Sequence, residues 1–269
     1  MSDAPPVIGF QGEPGAFSEE AAGALVPGAS TRGYRIFAML IDAVASGEVD
    51  AALLPIENSI SGQIAGNYDL LWNHPELAIV DETVFRVVQS LIALPGTRIE
   101  DITEVRSHPV ALEQCGRLFA AHPQWRRTVV DDTAGAVREI MSEGNKAVAA
   151  IGSRAAAQRY GAAILTESVQ DNPDNFTRFF LVRRGVGDAR RQGRACVAIA
   201  LADRPGSLRD ALSAFANEKL NLRSLVSRPA PDEGPFKYRF YCEIENAEPD
   251  ALRRALSQID GKTRVLGAY

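Results

Sequence analysis

The sequence predicts an α/β protein of two domains, a large doubly wound one followed by a small α+β one. Three observations carry this. Short apolar runs alternate with helical patterns as far as residue 183, the mark of a parallel sheet covered by helices. Residues 184–194, RGVGDARRQGR, then break the pattern with glycine and charge, as linkers do. The remainder runs strand, helix, strand, strand, helix, strand, the βαββαβ order of ferredoxin-like domains.

Residues 7–10, VIGF, form a short buried strand, and 11–15, QGEPG, a turn. Helical spacing follows over 17–25, with Ser18 placed to cap it and Glu19 and Glu20 in the first turn. Residues 36–46 are a helix closed by Gly47, 51–55 a strand, and another helix begins near Ser59. Residues 77–93 alternate or run apolar, as strands crossing to a second lobe at about 80–160. A strand ends at Val105. A helix over 109–119 starts on Pro109, which suits a first turn. A strand at 128–130, a helix over 133–142 ending at Gly144, and a strand at 147–151 follow. The helix over 153–160 has Gly161 at its C′ position, and strands at 164–168 and 179–183 close the domain. In the small domain the strands are 195–201, 222–227, 237–245 and 263–266, with helices over 207–218 and 250–258.

Composition excludes several functions. The 269 residues are 46% apolar and 23% charged, ordinary for a globular protein. A formal charge of −5 argues against a nucleic-acid partner, which needs a basic face. No apolar run reaches the roughly 18 residues of a membrane span. The start, MSDAPP, lacks a basic n-region and an h-region, so a cytoplasmic protein is expected. The three cysteines form no CxxC pair and read as small buried hydrophobes. The three histidines show no HxxxH or HExxH spacing, so no metal site is expected. Nucleotide loops of the GxGxxG and GxxxxGK[ST] kinds are missing too, and no cofactor is expected.

Two segments stand out: 54–59, LPIENS, and 174–180, DNFTRFF. Each sets hydrogen-bonding side chains against the end of an apolar run, at the sheet edge where α/β proteins bind ligands. With 11–18 (QGEPGAFS), 107–109 (SHP), 132–134 (DTA) and 149–153 (AAIGS), they occur in the order and spacing of one family. The chain resembles a bacterial prephenate dehydratase with a C-terminal ACT domain, over residues 7–183 and from 195 to near the C-terminus. The resemblance implies a two-lobed, periplasmic-binding-protein-like catalytic domain over 6–184 and a ferredoxin-like ACT domain over 195–269. It implies an active site in the interlobe cleft and conversion of prephenate to phenylpyruvate, water and carbon dioxide, in phenylalanine biosynthesis. Relatives act on arogenate and give phenylalanine directly. Residues 67–71 (NYDLL) and 131–135 (DDTAG) look closer to arogenate-type members. A third reading is a non-catalytic amino-acid sensor, against which Thr177 and Glu57-Asn58-Ser59 argue.

By resemblance, Thr177 is the catalytic donor to the departing ring hydroxyl. A threonine hydroxyl is a feeble acid, so its role is a positioned hydrogen bond, of a kind worth about 2.7–4 kcal/mol. The same resemblance places Gly15, Ser18, Glu57, Asn58, Ser59, Ser107, Thr133, Asn175, Arg178 and Phe179 around the substrate. Several have a bland alternative. Asn58, Ser59, Ser107 and Thr133 all stand where a helix cap would. In a regular strand Arg178 points away from Thr177, so it reaches the same ligand only across a bulge. Family members often carry Thr where Ala16 stands, so any hydroxyl contact there is absent. The substrate's side-chain carboxylate suits an arginine or a helix N-terminus. Its ring carboxylate, which must leave as carbon dioxide, suits neutral donors.

In the small domain, residues 203–208 (DRPGSL) and 222–229 (LRSLVSRP) resemble the two effector segments of ACT domains. The implied ligand is phenylalanine, held by Asp203, Pro205, Gly206, Ser207, Leu208, Asn221 and Ser227. ACT domains pair side by side, which implies a homodimer or homotetramer. The second segment usually carries Glu where this chain has Val226, a departure expected to weaken or alter regulation.

Overall fold

A computed structural model describes residues 4–185 and 193–269. Most of the expected linker, residues 186–192, lies outside the described residues, as do residues 1–3 of the N-terminal segment.

The first lobe comprises β1 (Val7–Gln11), α1 (Phe17–Leu25), β2 (Ser30–Tyr34), α2 (Phe37–Ser46), β3 (Ala51–Asn58), the short β4 (Gly62–Gln63), α3 (Gly66–Asn73) and β5 (Leu77–Arg86). The second comprises β6 (Ser90–Ala93), β7 (Glu104–Ser107), α4 (Pro109–Glu113), α5 (Gly116–Ala121), β8 (Arg126–Val129), α6 (Thr133–Glu143), β9 (Val148–Gly152), α7 (Arg154–Tyr160) and β10 (Ala163–Thr166). β11 (Phe176–Arg184) returns to the first lobe. The small domain follows as β12 (Gly193–Leu201), α8 (Ser207–Asn217), β13 (Asn221–Pro229), β14 (Tyr238–Ala247), α9 (Pro249–Ser257) and β15 (Gly261–Ala268).

The first lobe's sheet runs β2-β1-β3-β11-β5, and the second lobe's runs β10-β6-β9-β7-β8. β1, β2 and β3 are parallel as expected, but the returning β11 lies antiparallel between β3 and β5. Both sheets are therefore mixed. The lobes are joined where the chain leaves β5 and where it enters β11. The two crossings are tied together by Val87 N donating to Asn175 O and by Val169 N donating to Gln89 O. This is the two-lobed layout of periplasmic-binding-protein-like domains, with a cleft at the ends of β1, β3 and β11.

Three local departures from the sequence reading have physical causes. β2, STRGY, has no apolar alternation to read and is largely exposed. The helix expected near Ser59 starts only at Gly66, because the Asn58 side-chain carbonyl takes the N–H groups of Ile60 and Ser61 and turns the chain into β4. The single helix expected over 109–119 breaks at Gln114 and Cys115. There Asp171 accepts from Arg117 N at the start of α5 and donates its own N–H to Gln114 O.

The small domain's sheet runs β13-β14-β12-β15, and its two faces bury different partners. Val197, Ile199, Cys242 and Ile244 pack under α8 and α9. Cys196, Ala198, Val226, Tyr241 and Leu266 pack against the first lobe, in one apolar cluster with Leu54, Ile56, Tyr68, Leu71 and Phe180. That period-2 division makes the domain interface a true core. The sheets also join edge to edge, β15 to β5, at Gly267 and Ile79. A Cβ on Gly267 would lie 2.3 Å from Ile79 O, so only glycine permits the approach. All three cysteines are free and buried. Burial pushes the Cys115 and Cys242 thiols up to about 12 and raises Cys196 as well. Among the described residues, no helix is long and apolar enough to cross a membrane.

Candidate active site

A β-bulge builds the site. β11 pairs with β3 in two registers, Arg178 opposite Glu57 and Phe179 opposite Pro55, which leaves Ile56 as the extra residue. Strict alternation would send Asn58 to the face of Leu54 and Ile56. The extra residue reverses this, bringing Asn58 onto the face of Thr177 and Glu57 onto the face of Arg178.

Asn58 then has a fixed orientation. Its Oδ1 accepts from Ile60 N at 3.0 Å and Ser61 N at 2.9 Å. Its Nδ2 must therefore face β11, donating to Asn175 Oδ1 at 2.8 Å, to Phe176 O at 3.2 Å and to Thr177 Oγ1 at 3.1 Å. Because Thr177 accepts from Asn58, its own proton is free to be donated elsewhere. The Ser59 hydroxyl donates to Asp174 O and accepts from Phe176 N, which locks the start of β11. Buried Asn175 donates to Gln114 Oε1 at 2.8 Å, and Gln114 donates to Ser61 Oγ at 3.2 Å. Gln114 carries this network into the second lobe. Sequence reasoning missed it, since a glutamine inside a helical pattern gives no local signal.

Arg178 is a correction to the expected substrate contacts. It lies on the face opposite Thr177, almost fully buried, with its guanidinium 5.4 Å from the Phe180 ring centroid. It donates from Nη2 to Glu57 at 3.0 Å and from both Nη atoms to Glu243 of the small domain, at 2.6 and 2.8 Å. Glu82 stands 3.5 Å away and also pairs with Arg194. Burial works against the Arg178 charge, but the carboxylate of Glu243, with help from Glu57, overcomes it and raises its pKa. Glu57 pairs with this ion cluster while its side chain stays 41% exposed, and Phe179 is buried among Ile8, Ala21 and Leu53.

Gly15 and Ser107 are taken up by structural bonds, whereas Thr133 is half-buried at the start of α6. Gly15 is buried between the lobes, its carbonyl accepting from Ser153 Oγ at 2.6 Å and its N–H donating to Glu19. A lobe-to-lobe tie also runs from Tyr160 Oη to Pro14 O. Ser107 is fully buried and donates to Ile151 O, joining β7 to β9, while His108 caps α4. Thr133 is the first residue of α6, whose cap is Asp132, accepting from Gly135 N at 2.7 Å. Burial raises the Asp132 carboxyl. Ser18 sits half-buried in the first turn of α1 and caps nothing, because the cap position is Ala16.

Phe85, which pairs with Thr177 across β5 and β11, lines a cavity of about 350 Å³ together with Phe17, Glu20, Val88 and Arg154. Burial raises the Glu20 carboxyl. A larger cavity of about 750 Å³ lies between the 11–14 loop, the end of β2 and the start of α6. Thr177, Asn58 and Asn175 line neither cavity; the smaller one adjoins them through Phe85 and Arg86, the β5 partners of Thr177 and Phe176.

In the small domain, Gly206 holds the positive φ of +88° that starts α8. The Ser207 hydroxyl behind it is buried without a hydrogen-bond partner among the described residues. Pro205 is exposed, Leu208 half-buried, and Asp203 is held by Lys237 at 2.6 Å. Asn221 and Ser227 are exposed on the edge strand β13. Val226 lies on the face opposite Ser227 and packs into the core shared with the first lobe, so this position belongs to the domain interface.

Comparison with known proteins agrees with this organisation. Residues 8–186 match the family model for prephenate dehydratase, and residues 197–260 match the ACT domain. A curated relative, arogenate dehydratase/prephenate dehydratase 2 of Arabidopsis thaliana, is 37% identical over 97% of this chain and 72% of its own. Among solved structures, prephenate dehydratase of Arthrobacter aurescens in complex with L-Phe superposes with a TM-score of 0.86. It is 30% identical over 97% of this chain and 88% of that one. GqqA, described as a novel type of quorum-quenching acylase, superposes at 0.87 with 30% identity over 97% and 96%. The chain belongs to the prephenate dehydratase family and carries the family's C-terminal ACT domain.

Proposed function

We propose that this chain converts prephenate to phenylpyruvate, water and carbon dioxide, and that its small domain takes phenylalanine as a feedback effector. The observation that carries the first part is the orientation of Thr177. Asn58 Nδ2 donates to its oxygen, and among the described residues no protein group accepts its proton. That proton is available to the departing ring hydroxyl. The bond from ring carbon to carboxylate breaks, its electron pair passes through the ring, and the C–O bond at the opposite ring carbon breaks. The hydroxide takes a proton from solvent and leaves as water, stabilised meanwhile by the Thr177 hydrogen bond. The side chain bonded to Thr177 is a neutral amide, which suits a ring carboxylate that must lose its charge, while Arg86 and Arg154 line the adjoining cavity, where the side-chain carboxylate would be held.

Arogenate is the second reading, and the arogenate dehydratases among the curated relatives favour it. The acylase description of one structural neighbour finds less support. Hydrolysis of an amide needs a nucleophile beside a base, and the side-chain partner of Thr177 is an amide donor. For the effector, support comes from the unpartnered Ser207 hydroxyl at the start of α8 and the L-Phe complex of the Arthrobacter relative. Association into a homodimer or homotetramer suits the edge strand β13, where Leu225 is exposed.

Product identification by mass spectrometry tests the reading, using purified protein with prephenate or arogenate, with and without phenylalanine. Phenylpyruvate from prephenate, suppressed by phenylalanine, is the expected result. Faster formation of phenylalanine from arogenate moves the assignment to the amino-acid substrate. No turnover of either by folded protein rejects the dehydratase.

A further inference from the structure

We infer that Glu243, a residue of the small domain, is a positioning residue for Thr177: it fixes the active-site strand through Arg178, so that docking of the small domain is felt at the reacting hydroxyl. The inference rests on the dehydratase reading.

Three relationships support it. Glu243 spends both carboxylate oxygens across the domain boundary. Oε2 accepts from Arg178 Nη1 at 2.6 Å, and Oε1 accepts from Arg178 Nη2 at 2.8 Å and from the Tyr68 hydroxyl at 2.5 Å. A two-pronged arginine–carboxylate contact fixes geometry as well as distance. Arg178 in turn grips two strands, β11 through its own backbone and β3 through Glu57, the residue before Asn58. One guanidinium thus steadies both chain ends at which Asn58 and Thr177 meet. Finally, Tyr68 belongs to α3, whose Asp69 accepts from Arg228 of β13 and from the hydroxyl of Tyr241 of β14. Glu243 sits opposite Ser224 in the β13–β14 register, on the sheet whose edge strand carries Asn221 and Ser227. Movement of that sheet over α3 must strain or release Arg178.

An ion pair so enclosed contributes little net stability compared with apolar residues of the same size. Its more distinctive effect is to set one position of β11 relative to the small domain. Arg228 also donates twice to Asp69 across the boundary, but to a single oxygen and on α3, not on the active-site strand.

The test compares the unaltered protein with Glu243→Gln and Tyr68→Phe. The first keeps shape and loses charge. The second removes one hydroxyl and keeps the stacking of ring 68 on Tyr241. Steady-state rates on prephenate are measured with and without phenylalanine, together with amide hydrogen exchange of the 176–180 segment. In Glu243→Gln, kcat should fall about ten-fold with KM changed by less than about two-fold, the signature of misplaced chemistry and intact binding. Tyr68→Phe should show a smaller loss of the same kind. Exchange at 176–180 should quicken about ten-fold or more while exchange at 148–152 in the second lobe stays unchanged. Calorimetry should show phenylalanine still bound while its suppression of turnover weakens. Unchanged kcat and unchanged exchange at 176–180 in both folded variants overturn the inference. If the unaltered protein turns over neither prephenate nor arogenate, the dehydratase reading fails, and the exchange comparison still decides whether Glu243 holds the strand.

Discussion

Asn58 donates its side-chain amide to the hydroxyl of Thr177 across 3.1 Å, and two backbone N–H groups on its carbonyl prevent it from turning over. The direction of that bond decides what Thr177 can do. Asn58→Asp keeps the carbonyl contacts to Ile60 and Ser61 but replaces the donor with a carboxylate oxygen. Thr177 would then donate to residue 58, and its proton would no longer be free. Turnover should fall about 100-fold with KM little changed, since an interaction made in the transition state is lost. A variant with unaltered kcat would show that the bond's direction has no bearing on the reaction.

Thr177 itself should respond to chemistry more than to volume. Thr177→Ala removes the hydroxyl, and kcat should drop by about 10²–10³, the range for loss of one preorganised donor. Thr177→Ser restores the oxygen on a side chain with looser χ1 and should recover activity to within about ten-fold of the parent. Equal losses in the two variants would mean that the methyl group of Thr177, opposite Phe85 in the β5–β11 register, matters and the hydroxyl does not.

Gly15 is where the family segment 11–18 meets the second lobe. Its φ is +95°, and a Cβ there would stand 2.7 Å from the Cα of Ala156. Gly15→Ala therefore combines unfavourable backbone geometry with a clash against main chain that cannot swing aside. A loss of about 2–4 kcal/mol is expected, read as a melting transition lower by roughly 5–10 °C. A melting temperature within a degree of the parent would show that the lobes separate to accept the methyl group, and then the interlobe tie is weak.

How much of this was legible in the sequence divides along physical lines. Apolar periodicity revealed the α/β and βαββαβ halves, because burial of one face writes itself into the order of residues. β2 left no trace because it buries almost nothing. Alternation alone set Arg178 on the face opposite Thr177, which is where it lies, yet its partner Glu243 is 65 residues away. The bulge at Ile56 was equally silent. Its only signal is the register mismatch between two strands distant in sequence, and it decides whether Asn58 or Glu57 meets Thr177. Ser107 and Gly15 read as ligand contacts because they belong to a family segment. Their burial shows that such a segment also records structural ties, within the second lobe for Ser107 and between the lobes for Gly15.

The second lobe carries its own electrostatic signature in Glu104, a nearly buried carboxylate on β7. Arg106 Nε donates to it at 2.8 Å and exposed Arg126 pairs with its other oxygen, while Arg106 also reaches Glu143 at 2.6 Å. Burial alone would push the Glu104 carboxyl up. Hydrogen bonds from Arg106, Arg126 and Thr128 overcome that and hold it at about 2, against an ordinary value of 4.5. A carboxyl depressed on folding contributes stability above its unfolded pKa and loses it as pH falls toward the folded one. The contribution is therefore full above about pH 5 and declines between 4.5 and 2. Glu104→Gln should cost about 2 kcal/mol at pH 7, a figure reduced for the solvent around Arg126. Urea unfolding of parent and variant at pH 7 and pH 3 checks the sign. The gap between them should shrink by about half or more at pH 3, because the unfolded chain's carboxyl has taken up a proton there while the folded one stays mostly ionised. A gap that is constant across that range would mean Glu104 acts through packing and hydrogen bonding that glutamine fails to reproduce, and the charge would not be what holds β7 to β8.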